Sequence, residues 1–326
     1  MSGPALVAPD SFKGTFGAGE VAAAIASGLR SAGRDAVELP VADGGEGTME
    51  VLLATLDGER RSATVSDPLG RPVSAEFALL RDGRSALVET ARASGLALVA
   101  EDERDAWRAS TRGTGELIAA AAAAGAERVV VTVGGSATTD GGAGALEALD
   151  EAGVVVDLEV VCDVRTPFEA APRVYAPQKG ADAATVRRLE KRLAALAEGW
   201  SRDPTGEPMT GAAGGLSGGL WAARGALLVP GAAFVLEALG FDQLMREATF
   251  VVTGEGSLDE QSLQGKVVGE VATRCRQSGV ACHAVVGRTE LDPFAERILD
   301  LASVTEATTL EELERAGAAL IAEVRG

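Results

Sequence analysis

The feature that most constrains this chain is a short apolar run that ends on a loop of glycine and carboxylate and then passes into a helical repeat. Ala5 to Pro9 is followed by Asp10 and Ser11, and then by Val21, Ile25 and Leu29 before Gly33, the pattern of strand, loop, helix and glycine stop. Val37 to Ala42 repeats the run, ADGGEGT follows it, and Met49, Leu52, Leu53 and Leu56 give the next helical face before Gly58. The same alternation returns late in the chain. Phe250 to Thr253 precedes a helix carrying Val268, Val271 and Cys275, Ala281 to Val286 precedes a helix after Asp292-Pro293, and a last strand is expected near Ala302. A C-terminal helix follows, with Thr308-Thr309-Leu310-Glu311 read as its capping box.

Between these stretches the signals change. A Pro68-Leu69-Gly70 turn, a strand near Val73 to Leu80, an Asp82-Gly83 turn and a strand near Ser85 to Glu89 read as hairpins. An alanine-rich helix through Ala119 to Ala124, a strand at Val129 to Val133 and GGSATTDGGAG leading to a helix around Leu146 come next. Asp182 is placed to cap a helix with Val186, Leu189, Leu193 and Leu196 on one face, whereas the Gly- and Pro-rich stretch from Ser201 to Gly219 reads as a mobile loop. A chain of 326 residues exceeds what one core usually serves. The expectation is therefore an α/β protein: a flavodoxin-like doubly wound parallel-sheet domain of about five strands, residues 1–62 plus 249–326, interrupted by a second, inserted mixed α/β domain, residues 63–248.

Charge narrows the partners. A formal net charge of -18 repels nucleic acid and anionic membrane surfaces, so neither is expected to bind, and any anion site must be built locally from backbone amides and chosen cations. No apolar run approaches a membrane span and the first residues lack the pattern of a secretory leader. Cys162, Cys275 and Cys282 lack metal-ligand or framework spacing, so a reducing, cytoplasmic setting is expected. His283 is the one histidine and lies mid-strand, which disfavours a Ser-His-Asp mechanism. GxxxxGK[ST] is absent, and no GxGxxG follows the first strand.

A phosphate cradle needs backbone N–H groups that can approach oxygen closely, which glycine permits. Gly44, Gly45 and Glu46, then Gly134, Gly135, Ser136 and Thr138, and the loop GAAGGLSGGL have that composition. Asp43, Asp140, and Glu255 beside Gly256, set carboxylates among these glycines, where Mg²⁺ or a substrate hydroxyl would need them. Taken singly, each acid equally fits a helix cap. Asp10, Asp43 and Glu255 follow strands of one expected sheet, and such sheets bind ligands at those strand ends, so the three should converge on one crevice. Lys13, Lys179 and Lys266 are the cations placed to neutralise phosphate oxygens.

Seven phrases, APDSFKGT, PVADGGEGT, GTGELI, GGSATTDGGAG, APQKGA, GAAGGLSGGL and VVTGEGSLDEQSLQGK, resemble the class I glycerate kinases in that family's own order and span nearly the whole chain. The resemblance implies ATP with Mg²⁺, D-glycerate as acceptor, 2-phosphoglycerate as product and a site in the cleft between two domains. It carries over Asp10, Ser11, Lys13 and Gly14, then Asp43 and Glu46, then Ser136, Thr138 and Asp140, and finally Gln178, Lys179, Glu255 and Asp259. Lys13 is assigned to the phosphate charge, Asp140 or Asp43 to the glycerate hydroxyl proton, and metal binding to Asp43, Asp140, Glu255 and Asp259. A monomer or homodimer is expected. The segment 163–176 departs from the family pattern, which leaves open a related small hydroxy acid as acceptor, or a catalytically silent relative that binds glycerate or nucleotide.

Overall fold

The computed structural model describes residues 3–12 and 14–324. The chain forms two compact units, one of residues 1–43, 50–55 and 231–326, the other of residues 44–49 and 56–230.

The chain opens with β1 (Ala5–Pro9), α1 (Ala18–Ser31) and β2 (Ala36–Glu38), in which the two strands pair in parallel. Past Glu38 the amides of Leu39 and Val41 still donate to the carbonyls of Val7 and Pro9, at 2.8 and 2.9 Å. The extended chain thus stays beside β1 up to the residues before Asp43, which accounts for the longer apolar run in the sequence. After α2 (Thr48–Thr55), β3 (Gly58–Ser66), β4 (Pro72–Leu80) and β5 (Ser85–Glu89) form an antiparallel meander. β3 was not expected, because its residues are mostly exposed and polar. Its full-length register with β4, from Gly58 against Leu80 to Ser66 against Pro72, places it in the second unit and sets the boundary at 55/56 instead of 62/63.

Next come α3 (Thr90–Ser94), α4 (Arg112–Ala123), β6 (Arg128–Thr132), α5 (Ala143–Glu151), β7 (Asp157–Cys162), α6 (Ala171–Tyr175), α7 (Ala183–Glu198), α8 (Ala212–Arg224) and β8 (Leu227–Pro230). The sheet of this unit has the order β3-β4-β5-β6-β7-β8, with β5 to β8 parallel. Leu117, Ile118, Leu146, Leu149, Leu216 and Leu220 from α4, α5 and α8 close one core over Val129, Val131 and Val160 of the sheet. The stretch from Ser201 to Gly219, expected as a mobile loop, ends as α8: Ala213, Gly214 and Gly215 kink its start with φ of 51°, 66° and 91°, and past them the fully buried Leu216 and Leu220 hold the helix despite Gly218 and Gly219.

The chain then returns to the first unit through α9 (Gly231–Ala238), α10 (Phe241–Glu247), β9 (Phe250–Gly254), α11 (Val267–Ser278), β10 (Ala281–Val286), α12 (Pro293–Leu299), β11 (Ser303–Glu306) and α13 (Leu310–Val324). α9 and α10 belong here because Arg274 of α11 reaches Asp242 at 3.2 Å and the Ala233 carbonyl at 3.4 Å, so the second boundary falls at 230/231 instead of 248/249. The sheet is wholly parallel in the order β11-β10-β9-β1-β2. Ala5, Val7, Phe250 and Val252 pack with α1 and α13, whereas Ala284 and Val286 pack with Val268 and Leu299 of α11 and α12, so helices cover both faces as a doubly wound sheet requires. The cap of α13 lies one residue later than the sequence reading: Glu312 N–H donates to Thr309 Oγ1 at 3.2 Å, and the Glu312 carboxylate accepts from Thr308 N–H at 2.7 Å.

Candidate active site

In the first unit the strand order reverses at β1. β1 leads to β2 on one side and β9 leads to β10 on the other, so the loops that leave their carboxyl ends diverge. A cavity of about 430 Å³ lies there, lined by Asp10, Ser11, Phe12, Thr15, Asp43, Glu255, Gly256, Ser257, Asp259, Lys266, Gly287, Arg288 and Thr308. The floor is rigid, since Asp10 N–H donates to Gly254 O at 2.8 Å and Thr253 Oγ1 donates to Ala8 O at 3.0 Å. The three expected strand-end acids, Asp10, Asp43 and Glu255, all line this one cavity and are all buried.

With Asp259, four carboxylates face two cations, Lys266 and Arg288. Burial raises the cost of that excess negative charge. The Glu255 carboxyl is pushed up to about 7, chiefly by desolvation and further by Asp259 and Asp43, while the Ser262 hydroxyl and Lys266 pull the other way. Ser262 Oγ donates to Glu255 Oε1, and the Asp259 turn presents it: Ser262 N–H donates to Asp259 O at 3.0 Å, and Gln261 N–H to Asp259 Oδ1 at 2.8 Å. Because the folded value exceeds the ordinary 4.5 of a free glutamate, the native state holds more protons than the unfolded state between about pH 4.5 and 7. Stability should therefore fall as pH rises through that window, by up to about 1.4 kcal/mol per pH unit from this group. Urea unfolding of the ligand-free protein at pH 5, 6 and 7 should show Glu255→Gln flattening the slope; an unchanged slope would remove Glu255 as its source.

Among the described residues no group of three or more His, Cys, Asp or Glu is arranged to hold a metal ion with protein ligands alone. Mg²⁺ commonly takes one or two carboxylates and completes its shell with phosphate oxygens and water. The oxygen-only donor set of Asp10, Asp43, Glu255 and Asp259 fits that use. Lys13 lies outside the described residues. Gly14, beside it, is exposed and has φ +81°, where glycine is favoured.

The remaining expected residues lie in the second unit. Here the glycines serve backbone contact. A Cβ on Gly134 would stand 2.7 Å from Gly45 Cα and 3.2 Å from Glu46 N, and one on Gly135 would stand 3.3 Å from Glu46 Oε2, so GGEGT and GGSATT are laid against each other. On the other flank a Cβ on Gly214 would stand 2.0 Å from Thr138 O, and Gly141 N–H donates to Gly214 O at 3.1 Å, so GAAGGLSGGL packs on the same loop. Lys179, in the turn before α7, is buried and donates to Ser136 Oγ at 2.9 Å and to Thr138 O at 2.6 Å. Desolvation lowers its ammonium to about 7 against the opposing pull of Asp140. Gln178 is exposed.

Asp140 is held differently from the other acids. Its Oδ2 accepts from Thr111 N–H at 2.8 Å, Thr111 Oγ1 at 2.9 Å and Gly144 N–H at 3.2 Å, and its Oδ1 accepts from Gly142 N–H at 3.1 Å. Four donors, three on Oδ2 and one on Oδ1, hold this carboxylate, so the side chain ties the loop to the start of α4 and α5. Residues that the sequence reading did not assign to a site complete both places: Ser262, Arg288 and Thr308, the last read only as part of a helix cap, in the first unit, and Thr111 in the second. Arg288 was legible in principle, since Gly287-Arg288 follows β10 as Glu255-Gly256 follows β9. Thr111 carries no such local signal. His283 packs against the Phe250 ring and its Nδ1 is 2.8 Å from Ser303 Oγ, a structural setting for the single histidine.

Comparison with known proteins agrees with this architecture. The model of the glycerate kinase family matches residues 5–154 and 150–324. A glycerate kinase of Halalkalibacterium halodurans is 39% identical over 321 residues, covering 86% of this chain and 84% of the relative. A glycerate 2-kinase of Escherichia coli K12 is 40% identical over 301 residues, covering 80% of this chain and 79% of the relative. A crystal structure of a protein assigned as glycerate kinase 2 from Salmonella typhimurium LT2 matches with a TM-score of 0.82 and 32% identity, over 100% of this chain and 99% of that one. The match runs through both units and both sets of loops: this chain belongs to the glycerate kinase family of enzymes.

Proposed function

We infer that the protein transfers the γ-phosphoryl group of ATP to a hydroxyl of D-glycerate, giving 2-phosphoglycerate. The observation that carries this reading is the switch-point crevice, whose four carboxylates and two cations suit a phosphate chain delivered with Mg²⁺. When bound, Mg²⁺ would neutralise the transferring phosphate oxygens. Asp10, Glu255 and Asp259 would hold it, and Lys266 and Arg288 would pair with the remaining phosphate charge. Asp43 is the proton acceptor for the glycerate hydroxyl, because it lines the crevice, whereas the Asp140 carboxylate accepts from four donors of its own loop and of Thr111. Asp140 is a positioning residue for the 134–142 loop, and Lys179 braces that loop through Ser136 and Thr138.

Coupled measurement of ADP release, with D-glycerate and Mg²⁺ each varied, tests the reading. ADP should form only when both are present, and phosphorus NMR of the product should show a secondary phosphate ester. ADP release indifferent to the acid would point to an ATPase or to a protein that binds nucleotide without using glycerate. A primary ester would replace 2-phosphoglycerate by the 3-phospho isomer and leave the kinase reading in place.

A further inference from the structure

Three acids of the first unit's crevice are assigned to Mg²⁺, and each has one carboxylate oxygen already held by the protein. Asp10 Oδ1 accepts from Ser11 N–H at 2.6 Å, and Asp259 Oδ1 accepts from Gln261 N–H at 2.8 Å. Both of these donors are main-chain groups within two residues of the acid they hold. Glu255 is held otherwise. Its side chain has one more rotatable bond than an aspartate, and its Oε1 accepts from the hydroxyl of Ser262, seven residues on. Among the described residues none donates a hydrogen bond to its Oε2.

Ser262 is itself fixed on several sides. It is fully buried, its N–H donates to Asp259 O at 3.0 Å, and its Oγ accepts from Asp259 N–H at 3.2 Å. A hydroxyl has one proton to give, and with the Asp259 amide on its oxygen that proton goes to Glu255. A Cβ on Gly269 would stand 1.9 Å from Ser262 O, so α11 packs directly on this turn. Gly287 N–H donates to Glu255 O at 3.0 Å, Leu258 N–H to Arg288 O at 2.9 Å and Glu290 N–H to Leu258 O at 2.8 Å, which laces the loop after β9 to the loop after β10. The main chain is thus held at both Glu255 and Ser262. What the hydroxyl settles is the glutamate side chain. A serine that only closed the turn would need its bonds to Asp259 and no more, so the bond to Glu255 is an addition to that role.

We propose that Ser262 is a positioning residue for the metal site: by holding Oε1 it fixes the Glu255 carboxylate and leaves Oε2 as the oxygen offered to Mg²⁺. Partners that orient a ligand in this way set metal affinity without touching the metal. The assignment rests on reading the crevice as a place for Mg²⁺ with a phosphate chain, not on the identity of the acid that accepts the phosphoryl group.

Mn²⁺ suits the same oxygen ligands as Mg²⁺, and electron paramagnetic resonance reads its binding to the protein with ADP, without turnover. Ser262→Ala should weaken Mn²⁺ binding by about 10-fold, and Ser262→Thr, which keeps the donor, should stay within about 3-fold of wild type. In a Glu255→Ala background the same Ser262→Ala change should cost less than about 2-fold, because a residue that acts through Glu255 then has nothing left to orient. In steady-state kinetics the Mg²⁺ concentration for half-maximal rate should rise by about 10-fold in Ser262→Ala, with the KM for D-glycerate held. A wild type that binds Mn²⁺ with ADP, but forms no ADP from ATP and D-glycerate, would sink the kinase reading and leave this one standing. An unchanged Mn²⁺ affinity in Ser262→Ala, an equal loss in the Glu255→Ala background, or a Ser262→Thr protein as weak as Ser262→Ala would overturn the assignment.

Discussion

Asp140→Ala is expected to lower the thermal midpoint of the protein by roughly 10 °C. The substitution leaves Thr111 N–H, Thr111 Oγ1, Gly142 N–H and Gly144 N–H facing a buried void in place of a carboxylate. Each stranded donor costs about 1–3 kcal/mol unless water enters, and partial rehydration of the cavity brings the total to about 3–5 kcal/mol. At roughly 2–4 °C per kcal/mol for a unit of this size, the shift is large enough to read by calorimetry or circular dichroism. Activity at a temperature where the variant is folded discriminates between roles. A positioning residue loses affinity and rate together as the loop loosens, whereas a proton acceptor would lose turnover with the midpoint intact. A normal midpoint with absent turnover would return Asp140 to the catalytic role that the sequence suggested.

Asp43→Asn should behave in the opposite way, with turnover lowered by about 10²- to 10⁴-fold and stability held or raised. Asp43 is buried beside Glu255, whose carboxyl is pushed up to about 7 partly by that neighbouring charge. Neutralising one member of a crowded set of acids relieves repulsion in the folded state. Groups kept for function at a cost in stability show this exchange on mutation. Single-turnover kinetics with saturating ATP and glycerate isolates the chemical step, and near-normal rates there would take proton acceptance away from Asp43. Loss of Mg²⁺ dependence alongside the rate loss would move it to the metal instead.

The two variants separate acids that look alike in the sequence. Asp43 and Asp140 each stand next to a pair of glycines, and the sequence left both as candidates for the same proton. Their difference arises at Thr111, 29 residues from Asp140, which closes over one carboxylate and not the other. Glycine loops are ambiguous for the same reason. Composition marks Gly134 and Gly214 as places where backbone is bare, but whether a phosphate or another strand of backbone comes close is settled by what packs there, and in this protein Gly45 and Thr138 do.

What the sequence by itself determined is what ten to fifteen residues can encode. The parallel strands β1, β9 and β10, the helices between them, the Asp182 cap of α7 and the gathering of Asp10, Asp43 and Glu255 at strand ends all follow from periodicity, caps and the rule that doubly wound sheets open at their carboxyl edge. Polar β3, the helix α8 drawn out of a glycine-rich stretch, the unit boundaries at 55/56 and 230/231 and the closure of Thr111 over Asp140 were decided only by tertiary structure. Each depends on a partner far away in the chain: a strand that supplies the ladder, a core that buries Leu216 and Leu220, or a threonine that reaches the acid of another loop. Local pattern fixes which groups a segment carries, and long-range packing fixes which of them remain available for chemistry.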